Sequence, residues 1–253
     1  MSWVDLNCDL GESFGAYTMG MDAEVIPHVT SVNVACGYHA GDPLVMEKTV
    51  ALAKRHHVAV GAHPGLPDLM GFGRRPMNVT PAEAGAYVKY QVGALMAFAA
   101  GHGIRLQHVK PHGALYNMAA KDEALAKGIA EAIADVDSSL HLMGLAGSVM
   151  LTEAEKAGLP VISEVFADRA YNDDGSLVSR KLPGAVIHDA SEAVARAVKM
   201  AKENKVISIS GREIPIRADS ICVHGDNAQA IELVTEIRAA LKAEGIDVRN
   251  FQS

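Results

Sequence analysis

The sequence is poor in cysteine, in aromatic residues and in positive charge, and each shortage excludes a class of protein. Its three cysteines show no C-x-x-C spacing, so they predict neither a disulfide framework nor a zinc knuckle. Lysine and arginine total 23 against 30 aspartates and glutamates, which leaves no broad cationic surface to neutralise a phosphate backbone. We therefore expect no nucleic-acid partner.

Long apolar runs and the common nucleotide-binding loops are missing as well. No run approaches the roughly 18 apolar residues of a membrane span, and the N-terminal MSWVDLNCDL lacks the basic and apolar regions of a signal peptide. We expect a cytoplasmic protein with no membrane partner. The chain has no G-x-x-x-x-G-K-[ST] loop and no G-x-G-x-x-G after a strand, so ATP chemistry needs an atypical site or a partner.

Short apolar stretches alternate with helical patterns along the chain, which predicts an α/β fold. The predicted strands cover residues 4–8, 32–36, 58–62, 107–110, 140–145, 161–166 and 220–224. The predicted helices cover residues 44–56, 82–100, 122–134, 148–157, 191–203 and 227–244. We expect residues 1–253 to form a single domain, a seven-stranded parallel β/α barrel.

Two stretches break this alternation. Residues 206–217 contain two alternating segments around Ser210-Gly211, which predicts an added β-hairpin outside the barrel, with Pro215 marking an edge strand. Residues 167–189 are too long and polar for a simple connection and have few apolar anchors of their own. Loops of this length often act as lids or binding loops, and we expect a lid here.

Six polar clusters follow the predicted strands, and four of them contain histidine. They are DLNCDLGESFG from Asp5, NVACGYHAGDP from Asn33, GAHPGLPDLMGFGRRP from Gly61, HVKPHGALYN from His108, EVFADRAYNDDGSLVSR from Glu164 and ICVHGDN from Ile221. Because parallel strands all point the same way, their carboxyl ends meet on one face of a barrel. We expect the active site on that face.

The clusters after the first three strands contain residues suited to acid–base chemistry or metal binding. Asp9 and Glu12 are candidates for a general base or a metal ligand, and Glu12 is also a candidate for substrate or anion binding. Turn capping is the structural alternative for both. Asp9, His39 and His63 are a possible set of ligands for a divalent metal. Buried structural histidines are the alternative, and spacing alone does not decide between the two.

The later clusters contain cations and capping residues. Lys110 ends the fourth strand, where a buried ammonium must be paired, and we assign it to an anion or carbonyl contact. Further candidates for substrate or anion binding are Arg75, Asp168, Arg169, Asp226 and Asn227. Each has a structural alternative, namely a solvated surface arginine, a loop salt bridge or a helix N-cap.

Together the six clusters resemble the LamB/YcsF family, over nearly the whole chain from Asp5 to the last helix. The resemblance implies an incomplete β/α barrel of the glycoside hydrolase and deacetylase type, which agrees with the seven predicted strands. It also implies that the chain is one subunit of a bacterial ATP-dependent 5-oxoprolinase. With subunits B and C, that enzyme opens the lactam of 5-oxoproline to L-glutamate.

This activity leads to a mechanistic hypothesis. A lactam is a resonance-stabilised amide, so ATP is expected to activate its carbonyl by phosphorylation, with ATP bound by partner subunits or by this chain. Asp9 would act as the base. His63, His112 and His224 would transfer protons or hold phosphate, and Lys110 with Arg75 would neutralise anionic oxygens. The alternatives are a metal-dependent deacetylase-like hydrolase acting on a small amide or sugar, and a non-catalytic scaffold.

Overall fold

A closed barrel of parallel strands forms the centre of the protein. The computed structural model describes residues 2–224 and 227–252. Its strands are β1 (Trp3–Leu10), β2 (Ser31–Ala35), β3 (Ala59–His63), β4 (His108–Val109), β5 (His141–Leu145), β6 (Val161–Phe166), β7 (Lys205–Ile207), β8 (Glu213–Pro215), β9 (Ser220–Val223) and β10 (Asp247–Val248). The barrel order is β1-β2-β3-β4-β5-β6-β9, and β9 pairs back with β1. The predicted seven-stranded parallel β/α barrel is confirmed.

Helices follow most of the strands. They are α1 (Asp22–Val25), α2 (Pro43–Arg55), α3 (Pro81–Gly101), α4 (Gly113–Ala119), α5 (Glu123–Asp137), α6 (Val149–Lys156), α7 (Ala190–Glu203) and α8 (Ala228–Ala243). A capping box of Thr80 and Glu83 begins α3. Helices α1 and α4 were not predicted, because four and seven residues carry too little periodicity. No helix in the described ranges is long and apolar enough to cross a membrane.

The two irregular stretches behave differently from each other. Strands β7 and β8 pair antiparallel, so the predicted hairpin is confirmed. The loop of residues 167–189 is better anchored than its composition indicates, and the expectation of few apolar anchors is wrong. Tyr171 is fully buried, and its hydroxyl accepts a hydrogen bond from the Phe166 amide at 2.8 Å. Ala170, Val178 and Ala185 form a small apolar cluster of their own.

The inside of the barrel is polar, whereas barrels of this type usually fill their interior with branched apolar side chains. Asp5, Asn7 and Asp9 alternate along β1 and form hydrogen bonds with residues of neighbouring strands. The intervening residues Val4, Leu6 and Cys8 are fully buried in the apolar core. Polar side chains therefore run through the barrel from its amino-terminal end up to the candidate site.

Gly61 in β3 makes room for one of these polar side chains. A Cβ atom at Gly61 would overlap the imidazole of His108. The Nε2 atom of His108 lies 2.6 Å from Oδ1 of Asn33. The side-chain nitrogen of Asn33 in turn donates a hydrogen bond to Asp9. Burial lowers the pKa of His108 to about 3, so the ring is a neutral member of this network.

Candidate active site

The candidate site lies where the strands of the barrel end. Asp9 lies in β1, His63 ends β3, Lys110 follows β4 and Glu164 lies in β6. Because these strands are parallel and neighbours in one closed sheet, their carboxyl ends bring side chains from distant parts of the chain together. The expected convergence on one face is confirmed for Asp9, Glu12, His39, His63, Lys110 and His112.

A buried lysine joins two carboxylates at the centre of the barrel. The Lys110 ammonium lies 2.9 Å from Oδ1 of Asp9 and 2.6 Å from Oε1 of Glu164, and it donates to Oδ1 of Asn7 at 3.2 Å. Burial alone would lower the pKa of Lys110, but the nearby acidic groups, Asp9 first, raise it well above its usual value. Lys110 therefore stays charged, and its three N–H groups are directed to protein partners.

Asp9 connects this buried lysine to the histidines. Its Oδ1 atom also accepts a hydrogen bond from Asn33 at 2.8 Å, and its Oδ2 atom lies 3.3 Å from Nε2 of His63. Burial would raise the pKa of Asp9, but His63 and Lys110 outweigh it and hold that pKa well below the usual value. Asp9 is therefore ionised at neutral pH, which makes it a weak general base.

Three histidines and a carboxylate form a compact cluster beside Asp9. One nitrogen or oxygen atom from each of Glu12, His39, His63 and His112 lies within 4.8 Å of the others. The three histidines are buried, whereas the Glu12 side chain is 19% exposed and so lies at the opening. Imidazole and carboxylate groups at this spacing could hold a divalent metal. The cluster contains His39 and His63 of the predicted metal-binding set, together with Glu12 and His112. The third predicted ligand, Asp9, is instead paired with Lys110 and Asn33.

The hydrogen bonds of two histidines test whether a cation fits this cluster. The Nδ1 atom of His63 lies 2.7 Å from the Lys110 carbonyl, and the Nε2 atom of His112 lies 2.8 Å from the Phe72 carbonyl, so each of these nitrogens carries the proton. The other two ring nitrogens then face each other, 2.9 Å apart, as lone pairs. Burial lowers the pKa of His112 to about 2, which disfavours a second proton on that ring. A metal ion between the two rings, or a proton shared with Asp9 beside them, removes the repulsion, so the residues present fit a cation such as a metal ion.

A glycine-rich turn supports the histidine rings. His39 and His112 stack in parallel with centroids 3.6 Å apart, and the Phe72 ring meets both edge-on. Phe72 has a left-handed backbone with a φ of 53°, and this directs its carbonyl at His112. A Cβ at Gly73 would lie 2.7 Å from the Cβ of His39. The turn therefore supports the rings of the cluster.

The two arginines after this turn have different surroundings. The Arg75 guanidinium is largely exposed and pairs with Asp68, so it is not among the groups at the cluster. The Arg74 guanidinium lies 4.9 Å from the centroid of the Phe72 ring. Burial and the charge of Asp9 raise the pKa of Glu12, and the nearby charge of Arg74 opposes that rise. Arg74 is the arginine of this pair that lies near the histidines, and anion binding by Arg75 stays a prediction.

Asp168 and His224 form a second pair on the β6–β9 side of the barrel. The Oδ2 atom of Asp168 lies 3.1 Å from Nδ1 of His224. Burial would lower the pKa of His224, but the hydrogen bond and charge of Asp168 outweigh it and raise that pKa above its usual value. Arg169 turns away and donates to the carbonyls of Val178 and Ala185. Asp168 therefore favours the protonated form of the His224 imidazole.

The two remaining candidates, Asp226 and Asn227, follow β9 in the chain. Asn227 is the N-cap of α8, and its Oδ1 accepts from the Ala230 amide at 2.9 Å. Asp226 lies outside the described residues. Substrate or anion binding by either residue stays a prediction.

Some residues of the site were not selected from the sequence. Asn33 is a polar position inside a largely apolar strand, and that pattern is the signal of a polar barrel interior. The Tyr116 hydroxyl donates a hydrogen bond to Oε2 of Glu164 at 2.7 Å. Tyr116 lies in α4, a helix that the sequence did not predict. Residues 11–15 also read G-x-S-x-G, but Ser13 bonds to the main chain of Met19 in a turn. No strand-to-helix nucleophile elbow forms there.

The fold and the site define a seven-stranded β/α barrel with a histidine- and carboxylate-rich centre at the carboxyl ends of its strands. The chain belongs to the LamB/YcsF family, whose model matches residues 4–253. It is 63% identical over 248 residues to the A subunit of 5-oxoprolinase from Alkaliphilus metalliredigens, and the match covers 98% of this chain and 97% of that protein.

Two further comparisons agree with this family. The A subunit of 5-oxoprolinase from Thermococcus sibiricus is 57% identical over 245 residues, covering 97% of this chain and 96% of that protein. The crystal structure of the lactam utilization protein from Thermus thermophilus superposes with a TM-score of 0.94 at 49% identity. That comparison covers 98% of this chain and all of the other.

Proposed function

We propose that this chain is the A subunit of an ATP-dependent 5-oxoprolinase, which opens the lactam of 5-oxoproline to L-glutamate. The observation that carries the proposal is the near-full-length identity of 57–63% to proteins that bear the name of the 5-oxoprolinase A subunit. The word subunit in that name supports an assembly, and we propose B and C subunits as the partners. We place the assembly in the cytoplasm, where ATP is available, and treat residues 1–253 as one functional domain.

The chemistry of the lactam sets what the assembly must do. ATP transfers its terminal phosphoryl group to the lactam oxygen, which releases ADP and activates the carbonyl carbon of the ring for nucleophilic attack. One water then adds to that carbon, the carbon–nitrogen bond breaks, and the nitrogen takes a proton, which leaves an acyl phosphate. A second water releases phosphate and gives L-glutamate. We propose that the partner subunits perform the phosphorylation and that this chain carries out the two steps with water.

A divalent metal is part of this proposal. Glu12, His39, His63 and His112 would hold the ion, and their facing lone pairs support the assignment. When bound, such an ion supplies a Lewis acid that lowers the pKa of water and polarises an oxygen. The carbonyls of Lys110 and Phe72 fix which nitrogen of His63 and His112 points into the cluster.

Asp9 and Lys110 supply fixed charge beside this cluster. Asp9 is 25% exposed and ionised, so it orients His63 and can accept a hydrogen bond from the attacking water. Its role as the base that removes a proton stays a prediction, and the low pKa favours orientation over proton abstraction. Lys110 holds Asp9 in place and offsets its charge, because its ammonium donates to Asp9 and Asn7 and forms an ion pair with Glu164.

His224 is the group best suited to protonate the ring nitrogen as the lactam opens. Its Nδ1 atom faces Asp168, which leaves Nε2 as the nitrogen that can donate. Asp168 keeps the pKa of His224 above its usual value, so the imidazolium form is available near neutral pH. The amine leaving group needs this proton, because an amide anion is too basic to leave.

The experiment that tests the proposal is ATP-dependent glutamate release from 5-oxoproline. The chain alone, the B and C subunits alone, and all three together are compared at equal concentrations. We expect turnover only in the complete mixture, and phosphorylated 5-oxoproline trapped when this chain is left out. Full turnover by B and C alone would overturn the assignment, and full turnover with an Asp9→Asn, His63→Ala chain would reduce this subunit to a scaffold. A deacetylase-like activity is not favoured, because the similar proteins carry the oxoprolinase name.

A further inference from the structure

A cavity of about 520 Å³ lies beside the Asp168–His224 pair. It is bounded by the loop of residues 167–189 on one side and by the first turns of α8 on the other. Val186, Ile187, Leu233 and Ile237 form apolar wall, and Asp168, Arg180, His188 and His224 supply polar groups. A cavity of this size, mostly apolar with a few convergent polar groups, is typical of a site for a small ligand.

Arg180 is an exposed member of this wall. Within residues 2–224 and 227–252, no hydrogen bond or ion pair to the Arg180 guanidinium is formed. The charge of Arg180 acts on the wall of the cavity, because it helps to lower the pKa of Asp168. The contribution of His224 to that lowering is larger. A guanidinium presents a planar fork of N–H donors that matches a carboxylate. An anionic group of a ligand would complete its contacts.

Asp168 has an unsatisfied atom in the same wall. Its Oδ2 atom is paired with His224, whereas its Oδ1 atom is buried and has no hydrogen-bond partner among the described residues. A buried acceptor without a donor is destabilising, because its hydrogen bond to water is lost and not replaced. A ligand that brings an N–H group to Oδ1 would remove this cost.

The cavity adjoins the centre of the barrel at Cys222. Cys222 in β9 lines it, and the Sγ atom of the same residue lies 3.4 Å from the Lys110 ammonium. Strand β9 pairs with β1 on one side and β6 on the other, and His224, which follows β9, contacts Asp168 and has its pKa raised in part by the charge of Asp9. A ligand held at His224 is therefore within electrostatic reach of Asp9.

We propose that this cavity binds the amino-acid end of the lactam, with Arg180 holding the carboxylate and Oδ1 of Asp168 accepting the N–H of the adjacent nitrogen. The inference rests on the proposed function. In 5-oxoproline the carbonyl carbon, the ring nitrogen and the carbon that bears the carboxylate are consecutive atoms. With the carboxylate at Arg180, the nitrogen lies at the Asp168–His224 pair and the carbonyl carbon points toward Asp9. Arg180 thus selects lactams that carry a carboxylate over neutral ones.

The test measures binding to the full-length chain by calorimetry, which needs neither ATP nor the partner subunits. Three probes are compared: 5-oxoproline, the neutral lactam 2-pyrrolidinone, and the lactone acid in which a ring oxygen replaces the N–H. Arg180→Met is compared with Arg212→Met, a surface arginine that pairs with Asp173 outside the cavity. We expect the wild type and Arg212→Met to bind 5-oxoproline at least tenfold more tightly than either analogue.

Arg180→Met should lose at least tenfold in affinity for 5-oxoproline and should bind 2-pyrrolidinone as the wild type does. In the complete enzyme it should raise KM with little change in kcat, as expected for a residue that binds the substrate away from the reacting atoms. Equal affinity of the wild type and Arg180→Met for 5-oxoproline would overturn the inference. Competition by inorganic phosphate at Arg180 without competition by L-glutamate would also overturn it, by assigning the arginine to the phosphoryl group.

The binding and turnover measurements separate this inference from the proposed function. Binding that depends on Arg180 in a chain that supports no glutamate release would keep the carboxylate site and reject the oxoprolinase assignment. Turnover in the complete mixture with an unchanged KM for Arg180→Met would keep the oxoprolinase assignment and reject the carboxylate site.

Discussion

The Nε2 atom of His63 and the Nδ1 atom of His112 lie 2.9 Å apart, while the other nitrogen of each ring faces a main-chain carbonyl. Two neutral imidazoles in these tautomers point lone pairs at each other, which is unfavourable without a proton or a cation between them. Burial and the neighbouring histidines oppose an added proton, since they lower the pKa of His112 to about 2. The pair therefore fits either a metal ion or a proton that His63 shares with the Asp9 carboxylate, and the two are separated by the test below.

We predict that the purified protein binds a divalent metal at this cluster. The metal content by mass spectrometry should fall on His63→Ala or His112→Ala and stay unchanged on His102→Ala, a histidine that pairs with Glu47 at the surface. Removal of the metal should lower the melting temperature, because a ligand at 100 times its Kd stabilises the folded state by about 2.7 kcal/mol. A metal-free preparation with full activity and an unchanged melting temperature would show that the two histidines share a proton instead.

Asp9→Asn should fold and should lose about a hundredfold or more in glutamate release by the complete enzyme. The amide cannot offset the charge of Lys110 or orient His63 as the carboxylate does. The loss should appear in kcat, and circular dichroism should match the wild type. Asp135→Asn, in an exposed pair with Lys89, is the control and should keep its activity. Near-normal turnover of Asp9→Asn would remove Asp9 from the reaction.

Lys110→Met should destabilise the protein, because it leaves the buried Glu164 carboxylate and Asp9 without their counter-ion. Breaking a buried ion pair in this way costs about 3–5 kcal/mol, measured here as the free energy of unfolding in urea. Lys110→Met combined with Glu164→Gln should recover part of that loss, since one stranded charge is removed. Lys89→Met, in an exposed pair, should change stability by less than about 1 kcal/mol. A fully stable Lys110→Met with weakened substrate binding would instead support the direct anion contact expected from the sequence.

Asp5 should make stability depend on pH. Burial raises the pKa of Asp5 to about 6, although Ser220, Thr30 and Ser31 donate hydrogen bonds to it. Because the folded state favours the neutral acid, this stabilisation is complete below about pH 4 and is lost as the pH rises to about 6. A shift of about two pKa units corresponds to about 3 kcal/mol.

Urea unfolding from pH 4 to pH 8 checks this effect. Asp5→Asn should remove this part of the slope and should exceed the wild type in stability at pH 7. Identical slopes for the two proteins would show that Asp5 is as easily ionised in the folded chain as in the unfolded one.

Gly61→Ala should be destabilising, because its methyl group would overlap the His108 ring inside the barrel. Overpacking of this kind costs about 1–3 kcal/mol, which thermal unfolding detects directly. Gly93→Ala is the matched control, since a Cβ there meets nothing within 4 Å and lies in α3. The control should be neutral or stabilising by up to about 1 kcal/mol. Equal melting temperatures of Gly61→Ala and the wild type would mean that His108 can leave its position at little cost.

The sequence by itself determined the order of strands and helices, the hairpin of β7 and β8, and the face of the barrel that carries the site. These features are local, because apolar runs, caps and turn residues act over a few neighbouring positions. The convergence of six clusters follows from one general rule, that parallel strands end on the same side. Short elements such as α4 and β10 escaped prediction because they contain too few residues for a periodic pattern.

Only the tertiary structure decided which charged groups meet. Asp9 and Lys110 are 101 residues apart in the chain, and their contact depends on the register of strands within the closed barrel. Arg74 and Arg75 look alike in sequence, yet one lies near the cluster and the other pairs with Asp68. The choice of Glu12 and His112 beside His39 and His63 depends on side-chain directions within a few ångströms. Such choices follow from packing across the whole barrel, where each side chain's position depends on neighbours far away in the chain.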